Sequence, residues 1–476
     1  MSRFNRSLSG IFLKFEFLSK LGYSHLTDQN IYIFGHLTDQ NGENMVQLDD
    51  YLIKLVADLP RRFEYARGLR RRFIFEELQG KVNSFMREGR CATVLLPGLR
   101  GTGKTTLLVQ LYFYTHSLSS EVIYLPVDEL RLLGFTLIEG VERYLEIFRP
   151  ERPVLLLDEV QYDEKWPLTL KVLNDRKQFL IIATGSSALN LKESPDLARR
   201  AEHIHVHPLT FREYLYLSEG VLGKGNLKPL LDFDVELMER SMAESAPYLW
   251  KAEEYLRTGS LPFSFDRKEP EVYEAVFTLI ERMIYRDLPQ VKGFDSQTLE
   301  KALKLLFLLA NPRGERFSYE RLSKILGMAK GTVISIINAL IKAGILVEIP
   351  SIGGMTKKVK KGPKLKFLAP TLRAALLYKS GELEKGLSAL LEDAVAFYLS
   401  KIGKLEYEPG KGGADFVLTV DGRKYVVEVG LGKDRATQVR RSMERVSADR
   451  GIVIGEKFYA NGDILSIPWR AFLALI

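Results

Sequence analysis

Hydrophobic positions follow two regimes along the chain. Over roughly the first 215 residues, short unbroken apolar runs alternate with stretches of helical spacing. Val94 to Leu96, EVIYLPVD (121–128), Val154 to Leu157, the apolar start of FLIIATGSSALN (179–190) and HIHVHPL (203–209) read as strands. Apolar runs without polar alternation are the pattern of strands buried on both faces, so they predict a mostly parallel sheet with helices on both sides. After that, FREYLYLSEG (211–220), the segment 234–262 and PEVYEAVFTLIERMIYRDLP (270–289) repeat apolar residues at helical spacing and predict a helical lid or linker. TLEKALKLLFLLANP, SYERLSKILGM and AKGTVISIINALIKAGIL predict three further helices. Ser318 is placed to cap the second, and Val333, Ile336, Ile337, Leu340 and Ile341 share one face of the third. Gly344 ends that helix and ILVEI opens a hairpin, which together predict a winged helix over 298–372. Residues 380–476 read as a separate α/β unit. An amphipathic helix leads it, and its later strands include RGIVIG and GDILSIP.

The chemistry sits at strand ends. Gly98, Gly103, Lys104 and Thr105 match G-x-x-x-x-G-K-[ST], with an apolar strand before them and a helix-like run after. Such a loop, here including Gly101, Thr102 and Thr106, turns backbone N–H groups toward phosphate, and the helix N-terminus adds positive potential. Lys104 is then the phosphate cation and Thr105 a ligand of Mg²⁺ beside ATP. Asp158 and Glu159 follow the strand Val154 to Leu157. Asp158 suits the metal through water, and Glu159 suits polarising the attacking water. Thr184, with Ser186 and Ser187, ends the neighbouring strand and suits a γ-phosphate sensor or a polar strand-to-helix turn.

At 476 residues the chain is long enough for about three domains, and its 46% apolar residues suffice for packed cores. A net charge of +8 permits nucleic acid without requiring it. The single cysteine, Cys91, excludes an intrachain disulfide and suits a reducing cytoplasm. No apolar run approaches the ~18 residues of a membrane span. Lys14, Glu16 and Lys20 break the apolar stretch that a signal peptide would need. Abundant charge with little Cys and His suggests a thermophile. HLTDQN occurs at His25 to Asn30 and again at His36 to Asn41. Residues 1–44 therefore read as an atypical extension, either a hairpin or translated upstream sequence before a working start at Met45.

Three outlying clusters have open readings. The stretch from Lys357 to Lys366 holds six lysines and no acid. Lys357, Lys358, Lys360 and Lys361 would contact a DNA backbone, or the wing is solvated and docks protein. Arg199 and Arg200 stand just before the last strand, where a ring-forming ATPase places an arginine finger; the alternative is a solvated basic pair. His203, His205 and His207 alternate, giving one strand face that suits aromatic packing better than zinc. In the last unit Asp415 and Glu428 lie on successive strands, with Glu392 on the helix, a set that could hold a divalent metal for phosphodiester hydrolysis.

GLRGTGKTT, LLLDEVQ with Trp166 after it, IIATGSSA and HPLTFREYL resemble a family of prokaryotic AAA-type ATPases. Members of that family join the ATPase to a winged helix and a C-terminal PD-(D/E)xK nuclease-like domain. YLRTGSLP and IYRDLP resemble its linker signatures, and GADFVL and YVVEVG its nuclease-fold strands, so the likeness runs from about Gly98 to Gly455. It implies an α/β protein: a P-loop AAA-type domain over 45–215, a helical lid over 216–297, the winged helix, and a restriction-endonuclease-like domain over 380–476. It also implies a metal pair at Asp415 and Glu428 helped by Glu392. The signature lysine is replaced by Gly430, with Lys433 and Gln438 as weak substitutes, so the resemblance supports either an active or a degenerate nuclease. The expected activity is an ATP-driven, Mg²⁺-dependent switch or motor on DNA, working as a homo-oligomer, with a ring as one form. The rival is a STAND-like signalling ATPase whose C-terminal half binds protein partners.

Overall fold

A computed structural model describes residues 48–119, 121–185, 197, 199–289, 293–311, 317–354, 362–431 and 435–476. The two HLTDQN copies, Ser186, Ser187, Lys357, Lys358, Lys360, Lys361 and Lys433 lie outside the described residues.

Five parallel strands form the first sheet: β1 (Ala92–Pro97), β2 (Val122–Pro126), β3 (Val154–Asp158), β4 (Leu180–Gly185) and β5 (Ala201–His203), in the order β2-β3-β4-β1-β5. The apolar runs of β2, β3 and β4 are buried along their whole length, which is why they carry no polar alternation. Helices Leu48–Arg62, Phe75–Glu88, Lys104–Leu118, Leu137–Phe148 and Trp166–Asp175 belong to this unit. Because β1 inserts between β4 and β5, the register pairs Leu96 with Thr184 and Pro97 with Gly185. The loop after β1 thereby meets the polar ends of β3 and β4.

The last strand is shorter than the alternation of 203–209 suggests. β5 stops at His203, and the chain then runs on beside β1 through Ile204 and Val206, whose N–H groups donate to Leu95 (3.0 Å) and Pro97 (2.8 Å). The rings of His205 and His207 stack at 5.7 Å, and His207 packs on Phe397. Burial, then the Lys401 charge, holds His207 down to about 3. Among the described residues no group of three His, Cys, Asp or Glu is placed to hold a metal ion.

Beyond Phe211 the chain is helical up to a hairpin. Helices Ser296–Ala310, Tyr319–Leu326 and Lys330–Lys342 precede the antiparallel pair β6 (Leu346–Ile349) and β7 (Lys364–Phe367). Asp295 and Ser318 cap the first two helices through their side chains. Helices Pro370–Lys379 and Leu387–Ser400 lead to a mixed six-stranded sheet. Its strands are β8 (Lys404–Glu406), β9 (Phe416–Val420), β10 (Arg423–Val429), β11 (Arg450–Gly455), β12 (Tyr459–Asn461) and β13 (Ile464–Pro468), in the order β12-β13-β11-β10-β9-β8. One apolar core fills the first sheet unit, a second extends from Leu209 to Leu475, and a smaller third packs Val439 and Val446 of helix Ala436–Val446 against Val417, Val426, Val453 and Ile464 of the last sheet. Leu99 of the loop after β1 belongs to the second core. No single described helix is long and apolar enough to cross a membrane.

Candidate functional site

The loop from Gly98 to Gly103 joins β1 to helix Lys104–Leu118. Gly101 (φ 81°) and Gly103 (φ 83°) take left-handed backbone that side chains rarely adopt, and Gly103 is the helix N-cap. A Cβ on Gly98 would lie 2.4 Å from the carbonyl oxygen of Val206, so the loop leaves the sheet only where no side chain exists. The Thr102 hydroxyl donates to the Leu99 carbonyl at 2.8 Å. Lys104 Nζ donates to the carbonyls of Gly98 and Leu99, both at 3.0 Å. Burial pushes the Lys104 ammonium down, and the Glu159 charge opposes this.

The end of β3 supplies the acids. Asp158 is buried, and each of its oxygens accepts a hydroxyl hydrogen bond: Tyr124 donates to Oδ2 at 2.9 Å and Thr184 to Oδ1. The Thr184 oxygen also accepts the Glu159 N–H at 2.9 Å, so one side chain fixes both acids. Burial, then the Glu159 charge, pushes the Asp158 carboxyl up, while Thr184, Thr105 and Tyr124 hold it down through hydrogen bonds. Glu159 sits half-buried at φ 54°, a left-handed conformation uncommon for glutamate, and accepts from Gln161. The Thr105 hydroxyl and the Asp158 carboxylate are adjacent oxygen donors, the type Mg²⁺ takes, so the donor set fits that ion.

Several contacts around the loop carry no local sequence signal. Arg72 donates from Nη1 to the Thr102 carbonyl at 2.7 Å and forms a buried fork with Glu213 at 3.0 and 2.6 Å. Arg72 stands in a basic run and Glu213 within HPLTFREYL, and nothing in either segment announces that the two pair. Arg100 forks onto Asp287 of the IYRDLP segment at 3.0 and 3.2 Å. Phe263 of the segment after YLRTGSLP covers Gly101, where a Cβ would meet its ring at 2.7 Å. Arg199 and Arg200 are exposed, and Arg200 pairs with Asp175 at 3.1 Å.

The C-terminal acids converge, but cations stand among them. Lys364, on β7, lies 3.2 Å from Asp415 and 3.6 Å from Glu392, and Lys366 pairs with Glu392. Arg435 reaches Glu428 at 3.0 Å and Asp415 at 3.4 Å, and Gln438 donates to Glu428 at 2.9 Å. Burial, then the Asp415 charge, pushes Glu428 up to about 7 against the pull of Arg435. Burial would raise Glu392 too, but Lys366 and Lys364 hold it down to about 2. Glu392, Asp415 and Glu428 thus form an ion-paired cluster with Lys364, Lys366 and Arg435. A Cβ on Gly430 would meet the Arg435 guanidinium at 2.3 Å, so this arginine covers the position that the nuclease signature gives to lysine.

Two family profiles match the chain: an AAA domain over residues 91–215 and a domain of unknown function over residues 249–383. An uncharacterized protein of Haemophilus influenzae is 22% identical over 46% of this chain and 51% of its own length. Among solved structures, the Aeropyrum pernix ORC1 protein in complex with DNA aligns at 15% identity and TM-score 0.31, over 65% of this chain and 94% of that one. AMPPCP-bound DnaA from Aquifex aeolicus aligns at 15% identity and TM-score 0.26, over 58% and 90%. Scores this low add nothing to the sequence match. The uncharacterized protein MJ1637 of Methanocaldococcus jannaschii is 44% identical over 94% of this chain and 98% of its own length. This chain belongs to the MJ1637 family and carries an AAA domain over residues 91–215.

Proposed function

We propose that this protein binds and hydrolyses ATP with Mg²⁺ and uses the cycle as a switch or motor on DNA. The observation that carries the reading is the meeting of Lys104, Thr105, Asp158, Glu159 and Thr184 at the carboxyl ends of β1, β3 and β4. Ligands bind at this edge of open α/β sheets. The loop amides and Lys104 would cradle the β- and γ-phosphates. Mg²⁺, held by Thr105 and Asp158, would neutralise charge on the phosphate oxygens. Glu159 would orient the attacking water and draw its proton. Thr184 holds the Glu159 backbone, and so sets where that carboxylate starts.

Lys104→Ala should abolish turnover in a folded chain, and a mutant hydrolysing ATP at the wild-type rate would end the assignment. Glu159→Gln should still bind ATP and retain it, because Asp158 and Thr105 are intact. The DNA half of the proposal rests on the three helices and hairpin read as a winged helix, with the lysine-rich stretch joining its strands. DNA affinity should fall steeply with salt and weaken in a Lys357, Lys358, Lys360 and Lys361 quadruple alanine mutant. Affinity unchanged in that mutant moves the hairpin to protein docking. Metal-dependent DNA cleavage is not expected, since Lys364, Lys366 and Arg435 already occupy the carboxylates of the C-terminal cluster.

A further inference from the structure

The phosphate loop holds a second cation, Arg100, to which neither the motif nor the mechanism above gives a task. Its guanidinium grips Asp287 with two parallel hydrogen bonds, 3.0 and 3.2 Å, and side-chain exposure is only 23% for Arg100 and 9% for Asp287. The pair belongs to the electrostatics of the phosphate site. Burial works against the Arg100 charge, while Asp287 and then Glu159 support it. The Lys104 ammonium in turn feels Glu159, Arg100, Asp158 and Asp287.

The segment behind Asp287 is unusual. Asp287 closes the π-helical stretch Met283–Asp287, and a second π-helical stretch, Tyr255–Gly259, leads into Pro262 and Phe263. Single π-turns are rare in helices and cluster at functional positions. Both stretches end on the loop: Phe263 covers Gly101, Pro262 faces Gly103, and Leu99 is packed into the core that the linker helices share. The linker thus holds the phosphate loop from one side by three apolar contacts and one charged grip, Asp287 on Arg100.

We propose that Arg100 recognises the terminal phosphate of a bound nucleoside triphosphate, in competition with Asp287. The inference rests on the nucleotide reading of the loop. Carboxylate and phosphate use the same paired N–H edges of a guanidinium, so one arginine cannot serve both fully. A γ-phosphate beside Lys104 draws Arg100 away from Asp287 and loosens the linker. A diphosphate lacks that anion and leaves the pair closed. Linkage makes the effect reciprocal: the closed linker lowers affinity for the triphosphate and not for the diphosphate. The nucleotide state then reaches the helices and hairpin that follow Asp287.

The test is calorimetric titration of the full chain with ATP's non-hydrolysable analogue AMPPCP and with ADP, at fixed Mg²⁺. Arg100→Ala should weaken AMPPCP about tenfold and leave ADP within about twofold. Asp287→Asn should tighten AMPPCP by a similar factor, again sparing ADP. Equal effects on both nucleotides, or none, in a variant with wild-type helicity would make the pair purely structural and overturn the proposal. Should Asp287→Asn fold poorly, hydrogen exchange of residues 283–288 in the wild type decides. AMPPCP should speed it and ADP should not; identical exchange overturns the proposal. A wild type that binds neither nucleotide removes the nucleotide reading itself. Loss of both only in Lys104→Ala, with Arg100→Ala unaffected, removes this inference alone.

Discussion

At the residue scale, Thr184 joins the two acids at the end of the neighbouring strand. Its hydroxyl donates to Asp158 and accepts the Glu159 N–H. Thr184→Ala leaves both groups short of a partner, at a cost of about 1–3 kcal/mol. We expect kcat to fall roughly 10–100-fold with ATP affinity little changed, and Thr184→Ser to restore most of it. Steady-state kinetics on both variants check this. The C-terminal cluster makes a pH prediction. Glu428 is raised from 4.5 to about 7, so its contribution to stability is full below 4.5 and is lost as pH rises through about 7. Glu392 is lowered to about 2, so its contribution is present above 4.5 and is lost as pH falls through about 2. The melting temperature of wild type should therefore fall relative to Glu428→Gln between about pH 5 and pH 8. A constant gap across that range would contradict the buried, acid-crowded setting of Glu428.

At the element scale, glycine positions separate backbone need from tolerance. The Cβ of Gly98→Ala would fall 2.4 Å from a backbone oxygen that the sheet edge holds in place. Thermal melting should show a loss of about 1–3 kcal/mol, with weaker nucleotide binding because the phosphate loop must move. Gly80 lies inside helix Phe75–Glu88, and a Cβ added there would meet nothing within 4 Å. Gly80→Ala should stabilise the protein by about 0.5–1 kcal/mol through helix propensity and serves as the opposite-signed control. A Gly98→Ala variant as stable as wild type would mean that the turn after β1 can shift at little cost.

At the scale of the whole molecule, two large apolar cores fill the described chain, one in the first sheet unit and one from Leu209 onward, with a small third cluster under helix Ala436–Val446. Buried hydroxyls join elements far apart in sequence. Tyr398 accepts the Phe211 N–H at 2.7 Å and donates to Tyr255 at 3.1 Å, and Tyr255 donates to the Leu209 carbonyl at 2.8 Å. Near the chain end, Arg212 donates to the Ala474 carbonyl at 3.0 Å. Scanning calorimetry should therefore show no more than two cooperative transitions, since the linker, hairpin and last sheet share the larger core, and the small third cluster lies on strands β9, β10, β11 and β13 of that same sheet. Three resolved transitions would refute the shared core. Assembly is testable by subunit mixing. If Arg199 or Arg200 acts on a neighbour's nucleotide, its alanine variant mixed with Glu159→Gln should recover some hydrolysis. No recovery between subunits shown to exchange would leave both arginines as surface charges, as the Arg200–Asp175 pair allows.

The sequence by itself determined what is local. The glycines and Lys104 of the phosphate loop, the apolar runs of β1 to β4 and the Asp158–Glu159 pair are legible because their spacing is fixed by one turn or one strand. The end of β5 was not legible: the pattern from His203 to His207 alternates like a strand, yet pairing with β1 gives way to single hydrogen bonds after His203. Only the tertiary structure decided the partners of charged groups. Arg72 with Glu213, Arg100 with Asp287 and Lys364 with Asp415 each join residues far apart in sequence. It also placed Arg435 over Gly430, a contact that no spacing in the sequence announces. Backbone and apolar patterns are set by neighbours along the chain. The pairing of a buried charge is set by whichever opposite charge the packed elements bring within reach, and no local pattern encodes that.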